Sequence, residues 1–466
     1  MGSFHPVLCL LSYRTKRCTL PTQVIGRRYK NVIPNDEPAS DIPQRHSTLE
    51  GLPGAEMVNV RPVEAGFLAF CRTRRESAVK VGLLSATSSF KRAQQPRRRR
   101  RPGPAKKYPR SPMADESWRL PNSVQQLAAT GQEPSGRYLL REDEPLGRNL
   151  AGAEMPEPIP VIDLGLLSAS NDADEAAKLR SALQTWGFFQ VSNHGMESLM
   201  DSVMTTSREF FRLPIEEKRK YSNLIDGKHF QIEGYGNDQV KTQDQRLDWS
   251  DRLHLKVEPE DERNLAHWPI HPESFRDVLH EYTLKSKRIK DDILRAMAKL
   301  LDLEEDCLVN QFSDRALTYA RFNYYPPCPR PDLVLGIKPH SDVFALTVLL
   351  MDKDVAGLQV LRDGTWYSVP AMSNYTLMIN VGITMEIMTN GVFRGPVHRV
   401  VTNAEKERMS VAVFYGMDPE KEIGPIADML NEEQPARYRK MKNKDFLVAH
   451  YEYFTRGERV VDALRI

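Results

Sequence analysis

The sequence predicts a mainly β protein with flanking helices, in which the β part forms a sandwich or jelly roll. After Leu317, short runs rich in β-branched and aromatic residues follow one another closely. The turn dipeptides Asp363-Gly364 and Asn390-Gly391 separate some of these runs. Many short strands at close spacing are typical of a jelly roll and not of alternating β/α units. Before Leu317, apolar residues recur mainly at helical spacing.

The individual elements follow from their local patterns. The second half is predicted to contain strands at 317–325, 343–350, 358–361, 366–369, 376–381, 392–401 and 409–415, and a final helix at about 435–454. The first half is predicted to contain short strands at 158–164 and 187–191 and helices at 172–186, 196–212 and 275–303. Acidic residues in the first turn support the helix at 172–186, because the helix dipole favours negative charge there.

Charge is distributed unevenly along the 466 residues. Residues 1–112 hold 22 Lys and Arg against 7 Asp and Glu, although the whole chain has a formal net charge of only +3. The run Arg97–Arg101 lies among prolines, and like charges repel each other while prolines remove helix hydrogen bonds. We therefore expect a disordered basic extension over 1–112, attached to an acidic body. The alternatives for its role are a nuclear signal or nucleic-acid patch, an organelle transit peptide suggested by the acid-free start before Asp36, and no role at all.

Five parts are predicted along the chain. They are the disordered basic extension (1–112), a linker with the start of the body (113–157), an N-terminal helical module (158–310), a jelly-roll domain (311–420) and a C-terminal helix (421–466).

The five cysteines form no CxxC pair and are too scattered for a disulfide framework, which favours a reducing intracellular compartment. No run of 18 apolar residues occurs, so no membrane-spanning helix is expected. The expected location is the cytoplasm, with the nucleus or an organelle as alternatives.

The segment His340-Ser341-Asp342 is a candidate metal site. Residues two apart on a strand point the same way, so His340 and Asp342 can bind one ion. With His398 from a distant strand they form a face of two histidines and one carboxylate, the pattern associated with non-haem Fe(II) oxygenases. Of the competing pairs, His271/Glu273 lies at a proline-marked helix start and His450/Glu452 in a predicted helix, and on a helix a spacing of two splays the side chains apart.

Arg408 and Ser410 form a second pair of residues two apart. Positions 398 and 408 are symmetric about Asn403, and the residues around it are turn-like, which predicts an antiparallel hairpin with Arg408 close to His398. A buried arginine needs an anion, and its planar fork matches a carboxylate. The pattern therefore favours a dicarboxylate cosubstrate that binds the metal at one end and Arg408 with Ser410 at the other.

The order of several motifs resembles a known family. These motifs are 186–191 and 193–195 (WGFFQV and NHG), 323–329 (NYYPPCP), 338–342 (KPHSD), 357–360 (GLQV), 398–400 (HRV) and 408–410 (RMS). Together they resemble the plant 2-oxoglutarate- and Fe(II)-dependent dioxygenases, in particular the flavonol and anthocyanidin synthase, norcoclaurine synthase-like and codeine O-demethylase-like groups. The resemblance covers 113–466 and none of the basic extension.

The resemblance implies a double-stranded β-helix jelly roll and a role for each matched residue. The implied roles are Fe(II) ligands for His340, Asp342 and His398, 2-oxoglutarate binding for Arg408, Ser410, Tyr325 and Asn323, and substrate contacts for Tyr235 and Phe414. His194 is expected to be structural. At Gly382-Ile383-Thr384 the chain departs from the family, which has an acidic residue after the glycine, and this puts the local hydrogen bonding in doubt.

The implied reaction is hydroxylation, desaturation or O-demethylation of a small aromatic specialised metabolite or hormone. It is coupled to decarboxylation of 2-oxoglutarate to succinate and CO2, with Fe(II), O2 and ascorbate as the reductant. The expected partner is a small molecule, with no membrane or nucleic acid, and the expected state is a monomer. The alternatives are an oxidase of the same fold that uses no 2-oxoglutarate, and a retired enzyme that acts in the nucleus or on nucleic acid through its basic extension. A zinc hydrolase with the same ligands ranks last, because it leaves Arg408 and Ser410 without a role.

Overall fold

Two β-sheets form the core of the described part of the chain. The computed structural model describes residues 122–141, 150–169, 172–372 and 375–466. The predicted basic extension at 1–112 lies outside these residues, as does much of the predicted linker at 113–157. Among the helices of the described ranges, none is long and apolar enough to cross a membrane.

The strands of the described residues are mostly short. They are β1 (Val161–Asp163), β2 (Phe188–Ser192), β3 (Leu224–Ile225), β4 (His229–Phe230), β5 (Gly234–Gly236), β6 (Asp251–Glu258), β7 (Thr318–Tyr325), β8 (Leu335–His340), β9 (Leu346–Met351), β10 (Leu358–Arg362), β11 (Thr365–Ser368), β12 (Leu377–Val381), β13 (Val397–Val401), β14 (Arg408–Tyr415), β15 (Glu422–Ile423) and β16 (Met441–Lys442). The large sheet has the order β1-β2-β12-β9-β14-β7-β6-β5, and the small sheet has the order β11-β10-β13-β8.

The helices lie before, between and after the strands. They are α1 (Val124–Ala129), α2 (Leu164–Ala169), α3 (Ala173–Thr185), α4 (Glu197–Arg212), α5 (Ile215–Arg219), α6 (Phe275–Leu300), α7 (Ile383–Met388), α8 (Asn443–Arg456) and α9 (Val460–Leu464). The long helix α6 therefore ends three residues earlier than predicted. The final helix α8 begins at Asn443 and not near 435.

Alternation along the strands divides the core into two layers. On β9, Leu346, Val348 and Leu350 are buried in the same apolar cluster as the inner face of α6. Residues that point the other way meet the small sheet, as Tyr325 of β7 does when it packs with Ile337 and Val400. The two sheets therefore pack face to face as in a jelly roll, and the helices cover the outer face of the large sheet.

The predicted hairpin about Asn403 is wrong. Strand β13 pairs with β8 and β10, whereas β14 pairs with β7 and β9. The two strands therefore belong to different sheets, and the segment around Asn403 carries the chain from one to the other. Symmetric spacing about a turn is equally compatible with a crossover between sheets, so the sequence pattern did not distinguish the two.

Other elements were missed or misplaced by the sequence patterns. Strand β8 was missed because it contains Gly336 and Pro339, two residue types that usually interrupt strands. It lies at the edge of the small sheet, where proline is tolerated. Strand β6 alternates polar and apolar residues, a signal that could have revealed it. The predicted strands 343–350 and 392–401 begin only at Leu346 and Val397, and helix α7 was not predicted.

Candidate active site

His340, Asp342 and His398 converge at one end of the space between the sheets. His340 is the last residue of β8 and lies opposite His398 of β13 in the small sheet. Asp342 follows β8 in a loop and not on a strand as predicted, yet its Oδ1 lies 3.6 Å from Nε2 of each histidine. One ligand atom from each residue lies within 4.8 Å of the other two. The described residues can therefore hold one metal ion at this point.

The two histidines are oriented by backbone carbonyls. The His340 Nδ1 lies 2.9 Å from the Lys338 carbonyl oxygen, and the His398 Nδ1 lies 3.2 Å from that of Pro396. A carbonyl oxygen only accepts, so each Nδ1 carries the proton and each Nε2 presents its lone pair to the centre of the cluster. Burial, together with the neighbouring His398, lowers the pKa of His340 to about 3, which keeps this imidazole neutral at physiological pH.

The carboxylate of Asp342 is oriented in the same way. Its Oδ2 accepts hydrogen bonds from Thr347 Oγ1 at 2.6 Å and Asn380 Nδ2 at 2.9 Å, which leaves Oδ1 facing the histidines. Burial by itself would raise the pKa of Asp342, but the two imidazoles and these hydrogen bonds hold it below its usual value. The group is therefore an ionised, fixed oxygen donor.

Arg408 and Ser410 reach the same space from the large sheet. On β14 they lie opposite Tyr325 and Asn323 of β7, and Asn323 Nδ2 donates to Ser410 Oγ at 3.4 Å. Arg408 is 4% exposed; its guanidinium lies 5.3 Å from the centre of the Tyr325 ring and has no partner for Nε or Nη1 among the described residues. A Cβ on Gly357 would lie 2.9 Å from the Arg408 Cδ, so the glycine makes room for this side chain.

An unpaired buried guanidinium is the structural sign of an anionic ligand. Leaving such a cation desolvated without a counter-charge costs several kcal/mol. Part of this cost is removed when a carboxylate binds the fork with two hydrogen bonds. The residues present therefore fit Fe(II) at the two-histidine, one-carboxylate face and a dicarboxylate that extends from the metal toward Arg408.

The cleft between the sheets is about 1180 Å³ when counted to its open mouth. Side chains of both sheets and of α8 line it, among them Phe414, which was predicted to contact substrate. Tyr235 was given the same role but is not among the lining residues. Its ring packs against Phe210 and Phe211, and its hydroxyl lies 3.4 Å from Asp251 Oδ2, so the structure places it in the main apolar core and not at the cleft.

Several lining residues were missed by sequence reasoning. They are Asp238, Arg252, His254 and Arg321 on or beside β6 and β7, and His450, Tyr451 and Phe454 on α8. Those on β6 occupy alternate positions, which was the available signal. Those on α8 lie in a helix whose place over the cleft depends on tertiary packing alone.

Two other predicted features are explained by local contacts. His194 Nδ1 accepts from the Met196 N–H at 3.1 Å, and its Nε2 donates to the Tyr375 carbonyl at 2.8 Å, so it links two loops as a structural residue. Ile383, which replaces the acid of the family, is 1% exposed in the main core. Its backbone N–H donates to the Asp342 carbonyl at 2.7 Å, so the backbone support of the metal-site loop does not depend on an acidic side chain.

Comparison with known proteins supports the same assignment. A family model described as non-haem dioxygenase in morphine synthesis N-terminal matches residues 159–273, and the model of the 2OG-Fe(II) oxygenase superfamily matches residues 307–417. Protein SRG1 of Arabidopsis thaliana is 39% identical over 311 residues, which are 66% of this chain and 86% of that protein. Codeine O-demethylase of Papaver somniferum is 38% identical over 349 residues, 74% of this chain and 96% of that protein.

Solved structures give the same result for the fold. The crystal structure of JOX2 in complex with 2OG, Fe and JA is similar with a TM-score of 0.66 and 32% identity, covering 76% of this chain and 100% of that one. A rice dioxygenase for auxin oxidation is similar with a TM-score of 0.55 and 26% identity, covering 66% and 100%. The chain therefore belongs to the 2OG-Fe(II) oxygenase superfamily and is a dioxygenase that uses Fe(II) and 2-oxoglutarate.

Proposed function

We propose that His340, Asp342 and His398 hold Fe(II), and that Arg408 and Ser410 bind the distal carboxylate of 2-oxoglutarate. The unpaired, buried guanidinium of Arg408 carries this proposal, because among the described residues no acid meets its Nε and Nη1. Asn323 supports Ser410 through a hydrogen bond, and Tyr325 packs beside the guanidinium. When bound, Fe(II) with 2-oxoglutarate and O2 supplies the oxidation of a substrate C–H bond, with release of succinate and CO2.

The protein side chains have defined tasks in this reaction. The carbonyl-bonded histidines and Asp342, fixed by Thr347 and Asn380, would supply three donors to the ion, and the cosubstrate and O2 would take its other positions. Arg408 orients the cosubstrate by a two-point contact with its distal carboxylate, which water does not satisfy as well. The apolar wall of the cleft, which includes Phe344 and Phe414, keeps water away from the reacting carbon.

The proposed substrate is a small aromatic specialised metabolite or hormone. Relatives of the chain are described as codeine O-demethylase and flavonoid 7-O-demethylase, and one related structure holds JA. Aromatic side chains of the large sheet and of α8 line the cleft, and Ile337, Leu358 and Val400 line it from the small sheet. Hydroxylation, desaturation and O-demethylation share the initial attack on a C–H bond, so the substrate decides among them.

The complete site argues against a retired enzyme that acts only through its basic extension. We propose further that the protein is a cytoplasmic monomer without a nucleic-acid partner. Removal of residues 1–112 distinguishes the two functions, because the dioxygenase should keep its turnover of 2-oxoglutarate. An oxidase that uses no 2-oxoglutarate would leave the guanidinium of Arg408 without a counter-ion.

Succinate formation tests the proposed function. The wild-type enzyme should release succinate from 2-oxoglutarate only when Fe(II) is present, and a panel of indoles, flavonoids, benzylisoquinolines and phenolic hormones should reveal the substrates that stimulate it. His340→Ala should abolish both the turnover and the binding of Fe(II). Normal turnover in this variant would contradict the assignment of the metal site.

A further inference from the structure

A second group of polar side chains lies on the same sheet face as Arg408. Across β14, β7 and β6, Ser410, Asn323 and Arg252 form one row of paired residues, and Ala412, Arg321 and His254 form the next row on the same face. Arg252, Arg321 and His254 all line the cleft, next to the proposed 2-oxoglutarate site. The wall of the cleft therefore carries a polar patch beside the proposed 2-oxoglutarate site, here called the β6–β7 patch and formed by Asp238, Arg252, His254 and Arg321.

The β6–β7 patch contains more positive than negative charge. Arg252 Nε donates to Asp238 Oδ1 at 2.7 Å, and Arg321 Nη1 and Nη2 donate to Asp238 Oδ1 and Oδ2 at 3.1 and 2.9 Å. Two guanidiniums thus share one carboxylate. The next charges in this direction, Lys338 and Asp248, form an ion pair with each other. The patch keeps an excess positive charge, although Arg252 is only 2% exposed.

One nitrogen of Arg252 is left for a ligand. Its Nη1 donates to the Ile232 carbonyl at 2.9 Å and more weakly to that of Gly234 at 3.5 Å. Together with the bond from Nε to Asp238, these contacts leave Nη2 without a partner among the described residues. A guanidinium nitrogen without a partner, in a residue that lines a cleft, can donate a charge-assisted hydrogen bond to a ligand.

His254 adds a second polar group without a partner. It is 5% exposed, and neither of its ring nitrogens has a hydrogen bond within the described part of the chain. Its ring lies 4.9 Å from that of Tyr319 and 6.4 Å from that of Phe414, measured between centres. Burial, and after it Arg252 and Arg321, hold the pKa of His254 well below its usual value, so the neutral ring has one donor and one acceptor to offer.

The remainder of the cleft is predominantly apolar and aromatic. Phe344 and Phe414 come from the sheet side, while Tyr451 and Phe454 come from α8. Fe(II), Asp342, Arg408 and doubly charged 2-oxoglutarate together balance their own charges. The excess positive charge of the β6–β7 patch therefore remains for the substrate.

We infer that the substrate is a small, largely apolar carboxylic acid whose carboxylate binds Arg252 and His254, while its apolar body lies among the aromatic side chains and presents a C–H bond to the metal. A single negative charge balances the excess charge of the patch. Arg321, held by Asp238, contributes a second positive charge behind the carboxylate. This inference rests on the proposed function and deepens it by naming the charged group of the substrate.

The competing explanation is that Arg252 is purely structural and braces the loop before β6 through the Ile232 carbonyl. The two explanations differ in what they predict for the charge of a ligand. A structural arginine gives no preference between an acid and its uncharged ester. A recognition arginine gives a preference that disappears when its charge is removed.

Equilibrium dialysis on the wild-type enzyme provides the first test. Under argon, with Fe(II) and saturating 2-oxoglutarate bound, naphthalene-1-acetate and cinnamate are each compared with their methyl esters. At least one acid should bind about tenfold or more tightly than its ester, because a charge-assisted hydrogen bond is lost in the ester. Equal affinities for acid and ester in both pairs, or no binding of either acid, would overturn the inference.

Matched variants provide the second test. Arg252→Gln should bring the acid-to-ester ratio close to one, Arg252→Lys should restore part of it, and His254→Phe should reduce it less. Lys256→Gln is the control, because it removes a positive charge from the same strand at a residue that forms an ion pair with Glu262 and does not line the cleft. A ratio that survives in Arg252→Gln, or that falls equally in Lys256→Gln, would contradict the inference. If Arg252→Gln does not fold, His254→Phe and the wild-type ratio decide.

The same preparation separates failure of this inference from failure of the proposed function. The binding of 2-oxoglutarate and the release of succinate are measured in parallel. Absence of 2-oxoglutarate binding would remove the proposed function itself. Intact 2-oxoglutarate binding with equal acid and ester affinities would remove only the assignment of the β6–β7 patch.

Discussion

Arg408 and Arg252 lie on the same face of the same sheet, yet their surroundings differ. Arg408 has two buried nitrogens without partners among the described residues and an aromatic ring beside it. Arg252 shares Asp238 with Arg321 and also donates to a backbone carbonyl. The first site has a full positive charge without compensation, whereas the second has a partly compensated one.

This difference indicates two ligands of different charge and different variability. The Arg408 end fits the distal carboxylate of a cosubstrate that is always the same, so a single fork is sufficient. The β6–β7 patch has a smaller excess charge that is distributed over several side chains, which is suited to a substrate held mainly by apolar contacts. Both ends are joined by one chain of contacts, since Arg321 Nε donates to Asn323 Oδ1 at 2.7 Å and Asn323 donates to Ser410.

The largest effect is expected at the proposed metal site, because turnover requires the metal whichever ligands Arg408 and the β6–β7 patch bind. Asp342→Asn removes the negative charge of the proposed ligand set but keeps the size of the side chain, so Fe(II) content and succinate release should fall to background. Asp363→Asn, at a side chain that is 90% exposed in a turn, is the control and should retain both. Metal analysis of the purified proteins measures the first quantity. Retained iron in Asp342→Asn would exclude Asp342 as a ligand.

The next largest effect is expected on the binding of 2-oxoglutarate, when the positive charge of Arg408 is removed and the β6–β7 patch is left intact. Arg408→Gln should weaken 2-oxoglutarate binding by about 100-fold, because it removes two charge-assisted hydrogen bonds of roughly 1.5–3 kcal/mol each and part of the loss is offset by removing an unpaired cation. Arg408→Lys keeps the charge without the planar fork, so its loss should be smaller. Anaerobic titration with 2-oxoglutarate measures both, and an unchanged dissociation constant in Arg408→Gln would contradict the assignment.

A substitution of Asp238 tests the contrast between Arg408 and Arg252 from the side of the β6–β7 patch. Asp238→Asn leaves Arg252 and Arg321 without their shared counter-ion, so the free energy of unfolding should fall by about 2 kcal/mol, below the value for a fully buried pair because Asp238 is partly exposed. The more positive patch should at the same time bind an apolar acid more tightly. Urea denaturation with and without naphthalene-1-acetate measures both effects. Equal stabilisation of the wild type and the variant by the acid would indicate that the acid binds elsewhere.

The smallest effect is expected from a residue that orients a proposed metal ligand without binding the metal itself. Thr347→Val removes the 2.6 Å hydrogen bond to Asp342 Oδ2 and leaves the one from Asn380. Fe(II) affinity should fall by about tenfold, as is usual when a residue that orients a metal ligand is lost. Competition with a chelator measures this affinity. Thr384→Val, whose hydroxyl donates to the Val343 carbonyl and not to a proposed ligand, is the matched control.

Local spacing predicted part of the site, and the reason lies in strand geometry. Arg408 and Ser410 share a face because they are two apart on β14, and the structure places them so. The placement of Arg408 near His398 was predicted from a hairpin that does not exist. The two residues line the same cleft because the sheets that carry them face each other. Local sequence patterns specify the faces of single strands but not the sheet to which each strand belongs.

The polar patch was beyond sequence reasoning for a related reason. Arg252, Asp238 and Arg321 come from different segments of the chain, and only the pairing of β6 with β7 brings them together. Each is unremarkable in its own sequence context. Their shared charge appears only when the register is known. In the same way, only tertiary packing brings Phe454 of α8 into the cleft, with its ring centre 5.7 Å from that of His340.

A crossed comparison of two dissociation constants tests the central claim that the two ends bind different anions. The constants are those for 2-oxoglutarate and, at saturating 2-oxoglutarate, for naphthalene-1-acetate, measured on wild type, Arg408→Gln and Arg252→Gln with Fe(II) under argon. We expect Arg408→Gln to weaken 2-oxoglutarate strongly, and Arg252→Gln to weaken the acid by about tenfold while 2-oxoglutarate binds as in the wild type. Loss of both ligands in both variants, or of neither in either, would contradict the account.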